Sequence, residues 1–197
     1  MNAYEKNFRR AVLLVALLNF AYFGVEFAVA LAIKSVSLFA DSIDFLEDTF
    51  VNLLIFIALG WSMRRRAMVG MLMAGILLVP SLATLWSAWQ KFLFPAPPDA
   101  TLLSLAGFGA LVVNLSCAFI LARFRRQSGS LAKAAFLSAR NDALANVAII
   151  GAAIVTAVTL SPWPDVVVGL GIFFINLDAA RDVYTVAREE LKRENNG

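Results

Sequence analysis

Residues 35–58 read SVSLFADSIDFLEDTFVNLLIFIA, an apolar segment in which acidic side chains recur. Its length fits a membrane-spanning helix, which needs about 20 residues. On a helix at about 100° per residue, four polar side chains share one arc of about 80°: Asp41, Asp44, Asp48 and Asn52. Glu47 falls off the edge of that arc. A helix of this kind is predicted to bury its acidic face against other helices, because a carboxylate exposed to lipid is costly.

The composition around this segment is that of a membrane protein. Of the 197 residues, 60% are hydrophobic and 16% are charged, against about 45–50% and 25% in ordinary globular chains. These values exclude a soluble globular domain, a disordered chain, a coiled coil and a nucleic-acid-binding module. The chain has one cysteine and no histidine, so it has no disulfide framework and lacks the commonest transition-metal ligand and proton shuttle.

Six apolar segments are predicted to be transmembrane helices, at residues 11–33, 37–63, 68–89, 101–122, 131–160 and 165–184. The first is too long for the apolar region of a signal peptide, so we expect it to be retained. The fold class is therefore predicted as all-α and polytopic. Residues 1–187 form one six-span transport domain, and residues 188–197 form a short polar cytoplasmic tail, with no separate soluble domain.

Basic residues predict the orientation. They concentrate on one set of connections, at 6–10, 64–66, 123–133 and 181–193, whereas the opposite set has only Lys34 and Lys91. Cytoplasmic loops carry the excess of Lys and Arg, so both termini are predicted to be cytoplasmic, in a protein of the bacterial inner membrane. The alternative role of these clusters, binding nucleic acid or anionic lipid, is less favoured between short loops of a membrane protein.

The fifth segment carries a second polar set. With Ser138 as zero, Asp142 lies at about +40°, Asn146 at about +80° and Asn141 at about −60°. Together with the second segment, it offers oxygen ligands at i, i+4 spacing, and two such helices can converge on one divalent cation. Without metal some carboxyls must be protonated, because like charges held close in a low dielectric cannot all ionise. Metal and protons would therefore exchange at one site, without histidine.

Other buried polar residues have alternative roles. A single aspartate in a span can be a hydrogen-bonding group in helix packing, although three on one arc favour a ligand site. Asn19 and Glu26 share a face of the first span and are either auxiliary site groups or packing groups. Asn114 and Ser116 are expected to bond to neighbouring helices. An enzyme is not predicted, because no nucleophile–base pair or cofactor motif is present.

Two stretches resemble a known family. Ser35–Asp48 resembles span two of the cation diffusion facilitators, where the pattern is Ser-x-Ser-x-x-Ala-Asp-x-x-(His/Asp)-x-x-x-Asp, and Ser138–Asn146 resembles span five, where it is His-x-x-x-Asp. Asn19–Glu26 is similar to the first span, and Trp163-Pro164-Asp165 to the start of the sixth. The resemblance implies a homodimeric transporter that exchanges a divalent metal ion for protons and has no prosthetic group. It also implies four ligand positions: Asp44, Asp48, Asp142 and Ser138.

The chain departs from the family pattern at Ser138, where members usually have histidine. The fourth ligand is then Ser138, Asn141, Asp41 or water. An oxygen-only site leans toward Mn²⁺, Fe²⁺ or Mg²⁺, whereas family frequency ranks zinc first. Seven residues are auxiliary candidates around the site: Asp41, Asn141, Glu47, Asn52, Asn146, Glu26 and Asn19.

A second departure is that members usually carry a cytoplasmic domain after span six. This sequence ends about a dozen residues beyond that span, so it resembles a short member whose dimer rests on the transmembrane helices. Two other functions stay open: a proton-coupled exporter of organic cations, with Tyr22, Phe23 and Phe45 as aromatic walls, and a membrane subunit that binds a partner and transports nothing.

Overall fold

The computed structural model of the chain describes residues 3–58, 65, 68, 82–124 and 129–195. Within these ranges all regular secondary structure is helical, which confirms the all-α prediction. Six helices follow one another: α1 (Ala3–Ile33), α2 (Val36–Ala58), α3 (described over 82–93), α4 (Ala100–Ala122), α5 (Gly129–Thr159) and α6 (Trp163–Asn195). Most of the predicted third span, the end of the second and the basic positions 64, 66, 125 and 126 lie outside the described residues.

Among the residues that the structure describes, three segments are long and apolar enough to cross a membrane, namely Lys6–Ile33, Ala100–Ala122 and Ser138–Thr159. Helix α2 has 23 residues, the same length as α4, but its acidic residues set it apart from these three. It can lie within a bilayer only where other helices cover its acidic face. Helix α6 continues through Asn195, so the predicted polar tail at 188–197 is helical over its described part.

The turn between α1 and α2 is short and closed by the backbone. Lys34 adopts a left-handed conformation with φ of 53°, and the amide of Ser35 donates to the carbonyl of Ala30 at 3.0 Å. This is the usual way in which a helix C-terminus satisfies its last carbonyls, although glycine is the common residue at the left-handed position. The two helices are therefore antiparallel neighbours joined by two residues.

The N-terminus of α2 is capped by a residue of α6. Asp165 accepts from the backbone amides of Val36 (2.8 Å) and Ser37 (3.1 Å) and from the hydroxyls of Ser35 and Ser37, both at 2.6 Å. Ser35 Oγ in turn accepts from the amide of Leu38 at 3.1 Å. The amides at this helix end, which have no partner within the helix, therefore have acceptors. A carboxylate is also favourable at this position because it lies at the positive end of the helix dipole.

Close packing accompanies this cap. A Cβ placed on Gly169 of α6 would lie 2.7 Å from the carbonyl carbon of Val36, so glycine allows the two backbones to touch. Beside them the ammonium of Lys91 in α3 donates to the carbonyl of Lys34 at 2.5 Å and lies near Asp165. We call this group the α2 cap: Lys34, Ser35, Ser37, Lys91 and Asp165.

Of the apolar clusters that the described residues form, the two larger ones lie at opposite ends of the bundle. One combines the start of α1 with the ends of α2 and α4 and includes Val12, Ile55 and Leu121. The other combines the start of α2 with the end of α5 and includes Leu38 and Ile149. Between them α1, α2, α4 and α5 all contribute buried polar side chains. The bundle therefore has a polar layer at mid-height, with an apolar layer on each side.

The outer surface is apolar, whereas the polar layer is buried inside the bundle. Phe119 is 74% exposed and Val158 is 80% exposed, whereas Asn19, Glu26 and Asp41 are fully buried. A soluble protein has the opposite arrangement. An apolar exterior around a polar centre is the arrangement expected of a helix bundle in lipid, where ionisable residues face the bundle interior.

Candidate functional site

Helix α2 supplies the centre of the polar layer. Asp41 is fully buried, and Asp44 and Asp48 are each 8% exposed, because α1, α4, α5 and α6 all pack against this helix. The prediction that these three carboxyls share one face directed into the protein is confirmed. Burial of three acids side by side is unfavourable unless protons, hydrogen-bond donors or a cation compensate their charge.

Asp48 is where α1, α2 and α5 meet. The hydroxyl of Ser138 donates to Asp48 Oδ1 at 3.0 Å, and the amide of Asn19 donates to Oδ2 at 3.4 Å. The carboxyl of Asp142 lies next to that of Asp48, so a proton or a cation is needed to offset the repulsion between the two acids. Three of the four ligand positions implied by the family resemblance, Asp48, Asp142 and Ser138, are therefore together.

Asp44 faces a different helix. The amide of Asn176 in α6 donates to Asp44 Oδ1, and the carboxyl of Asp142 is a nearby like charge. Asn176 was not among the predicted site residues. A single amide in a long apolar segment has no periodic partner, so its own polarity within the sixth span is the only sequence signal that marks it.

Asp41 forms a second carboxyl pair within the same layer. Asn146 donates to Asp41 Oδ2 at 2.6 Å, and the carboxyl of Glu26 lies against Asp41. As carboxylates, both oxygens of Glu26 and Oδ1 of Asp41 would be buried without a donor. A proton shared by the two acids supplies that donor, so this pair also has the capacity to hold a proton inside the bundle.

Three further auxiliary candidates differ in how close they lie to the buried acids. Asn52 is buried and donates to the backbone carbonyl of Asp48 at 2.8 Å, so this bond stays within α2. Glu47 is half-buried, consistent with its position off the arc. Asn141 is exposed and accepts from Arg140 at 3.2 Å. The structure therefore does not place Asn141 among the buried acids.

Helix α4 closes the polar layer from the side. Asn114 donates to Asn146 Oδ1 at 3.0 Å, as expected for a residue that bonds to a neighbouring helix. Ser116 does not, because it is exposed and donates to Val112 of its own helix. The thiol of Cys117 lies 3.5 Å from Asn19 Oδ1 at the border of an apolar cluster.

The side chains are not arranged as a closed metal site. Over the ranges given above, no three His, Cys, Asp or Glu side chains gather closely enough to bind one ion. Asp48 and Asp142 are in contact, while Asp44 is bonded to Asn176 instead.

Fold and site together define an integral membrane protein of helices with buried carboxyl groups at its centre. Comparison with known families gives the same class, since the model described as the cation efflux transmembrane domain matches residues 12–191. The chain belongs to this family, whose members transport cations across membranes. No curated protein matches the sequence.

Proposed function

We propose that this protein exports divalent metal ions from the cytoplasm in exchange for protons, by alternating access of one buried site to the two sides of a membrane. Family membership supports cation transport. The observation that carries the proposal of metal–proton exchange is the approach of Asp142 of α5 to Asp48 of α2, which brings two carboxyls side by side in the polar layer of the bundle.

The chemistry follows from the competition of protons and metal for the same oxygens. A ligating carboxylate must be deprotonated, so an arriving ion releases the protons that the acids hold. The ion then compensates the repulsion among Asp44, Asp48 and Asp142, and Ser138 adds a neutral oxygen. Once the site opens to the other side, protons return to the carboxyls and weaken ion binding. Ion binding thus releases protons on one side of the membrane, and proton binding releases the ion on the other.

Topology and assembly are part of the same proposal. We expect six spans with both termini in the cytoplasm of a bacterial inner membrane, because basic residues cluster near both ends of the chain at 6–10 and 181–193. Lys34 and Lys91, expected on the opposite side, come together at the α2 cap. A homodimer would form through the transmembrane helices. Zinc is the ion that the family resemblance implies, whereas oxygen ligands favour harder ions.

An exporter of organic cations finds less support. It needs aromatic walls open to a substrate, but the rings of Tyr22 and Phe45 pack on each other with centroids 5.1 Å apart. The hydroxyl of Tyr22 is bonded to the carbonyl of Ala106 at 2.6 Å, and Phe23 packs on Phe27 at 5.4 Å. Tyr22 and Phe45 thus pack between α1 and α2, and Phe23 packs along α1.

The test is metal-stimulated proton flux in proteoliposomes that contain the purified full chain. We would add Zn²⁺, Mn²⁺, Cd²⁺, Co²⁺, Fe²⁺ and Mg²⁺ in turn and compare the protein with Asp48→Asn and with Asp178→Asn, a matched change at an exposed position. We expect flux with one or more ions, lost in Asp48→Asn and kept in Asp178→Asn. Flux that survives Asp48→Asn, or its absence with every ion in folded protein, would overturn the proposal.

A further inference from the structure

A cavity of about 740 Å³ lies beside the α2 cap, between the turn that joins α1 to α2 and the described part of α3. Most of its wall is apolar, and three side chains of the wall are also exposed on the outer surface of the bundle: Leu31 by 55%, Trp86 by 63% and Phe94 by 73%. The cavity is therefore accessible from the surface that faces lipid. Its volume, and an apolar wall with a few polar groups, are typical of ligand sites.

Two lysines give the cavity a positive charge. Lys34 is exposed at the turn, whereas Lys91 is only 6% exposed and its ammonium donates to the backbone carbonyl of Lys34. This bond uses one of the three donors of the ammonium. Asp165, the acid whose charge acts on Lys91, already accepts four hydrogen bonds at the start of α2. Two ammonium groups beside one carboxylate leave a net positive charge at the cavity.

The positive charge lies where the headgroups of a bilayer are expected. Lys34 directly follows the last residue of α1, and Trp86 precedes Lys91 by five residues, or about 7.5 Å along α3. Tryptophan is enriched at the boundary between lipid and water. The basic residues that predict the orientation lie at the other end of the spans, so the topology does not account for the two lysines here. A ligand that matches both the charge and the apolar wall is an amphipathic anion.

We propose that this cavity binds one anionic phospholipid, with its phosphate at Lys34 and Lys91 and an acyl chain along Leu31 and Trp86. Basic pockets between transmembrane helices are known to bind anionic lipid headgroups. Gln90, which also lines the cavity, offers an amide to the oxygens of the headgroup. Because the wall combines residues of α1 and α3, the bound lipid joins these two helices beside the α2 cap. The site is separate from the buried acids, and the inference does not depend on metal–proton exchange.

The experiment measures lipid binding to the purified full chain by native mass spectrometry, with phosphatidylglycerol and phosphatidylcholine of identical acyl chains. We expect phosphatidylglycerol to bind more tightly. Lys34→Gln should weaken phosphatidylglycerol binding about fivefold, the effect of one basic residue at a lipid surface, and should leave phosphatidylcholine binding the same. The bond from Lys91 is kept in this variant, because it goes to the backbone of residue 34. Lys6→Gln is the matched control, since Lys6 is also exposed and lies near the other end of α1.

A photoreactive phosphatidylglycerol locates the site on the chain. It should label residues 30–39 and 83–97, which form the wall of the cavity. Ala83→Phe, which fills the cavity without changing its charge, should reduce this labelling. Inorganic phosphate should not displace the lipid, because it gains nothing from the apolar wall.

Four results would overturn the inference. They are phosphatidylcholine binding as tight as that of phosphatidylglycerol, an affinity that Lys34→Gln leaves unchanged or that Lys6→Gln lowers equally, labelling that falls mainly outside the two segments, and displacement of the lipid by inorganic phosphate. The last result would identify a site for a free anion instead of a lipid.

Discussion

The amide of Asn146 joins three helices through one side chain. Its Nδ2 donates to Asp41 Oδ2 of α2 at 2.6 Å, and its Oδ1 accepts from Asn114 of α4 at 3.0 Å. Because each end of the amide has a partner, its orientation is determined, with the N–H groups toward the acid. Asn146 therefore fixes α5 against α2 next to the buried carboxyls without adding charge.

Replacing Asn146 should be destabilising. Asn146→Leu leaves a buried oxygen of Asp41 and the amide of Asn114 without their partners, which costs about 1–3 kcal/mol for a buried group. We expect a lower melting temperature in detergent, measured by the fluorescence of the native protein. Asn141→Leu is the control on the same helix, because Asn141 is exposed. Equal melting temperatures for the two variants would contradict this role of Asn146.

Two glycines of α6 provide a matched pair. A Cβ on Gly169 would lie 2.7 Å from the backbone of Val36, whereas one on Gly171 meets nothing within 4 Å. Gly169→Ala should push α2 and α6 apart and lower the free energy of unfolding by about 1–3 kcal/mol. Gly171→Ala should leave it the same or raise it slightly, because alanine favours helix. Denaturant titration of both variants measures the difference, and a reversed order would refute the close contact.

Much of the site could be predicted because helical spacing alone determines which residues share a face. The arc of Asp41, Asp44 and Asp48 and its burial follow from positions in the sequence, whereas the approach of Asp142 and Ser138 to α2 was expected from the family resemblance. Asn176 could not be predicted, because its role depends on how α6 is rotated about its axis relative to α2. That rotation is set by packing, such as the contact at Gly169, and no periodicity in the sixth span encodes it.

The cap of α2 by Asp165 should contribute strongly to stability. In Asp165→Asn the charge is lost and one oxygen acceptor becomes an N–H donor, facing an amide or hydroxyl that also donates. Hydrogen bonds to a charged group are each worth about 1.5–3 kcal/mol, so we expect a loss of at least that size in the free energy of unfolding. Ser37→Ala, which removes a single hydroxyl donor, should be milder. If Ser37→Ala were the more damaging change, the carboxylate would not be the centre of the cap.

Ion binding should depend on pH with a definite sign. Ligating carboxyls must lose protons before they bind metal, so acidification favours the empty site. The apparent affinity for the transported ion should fall as the pH decreases from 7.5 to 5.5, and proton release should accompany binding in weakly buffered solution. Titration calorimetry in two buffers of different ionisation enthalpy measures the protons released. Affinity and heat that are independent of pH and buffer would exclude proton exchange at these acids.

The α2 cap also limits which parts of the bundle can move. The two-residue connection at Lys34 and Ser35, the four hydrogen bonds at Asp165 and the bond from Lys91 join α1, α2, α3 and α6 at one end of the molecule. Helices that are bonded together at one end can move apart mainly at the other end. In the proposed alternating-access cycle, opening at this end would then require α4 and α5, which pack on each other, to move as a pair together with Asp142 and Ser138.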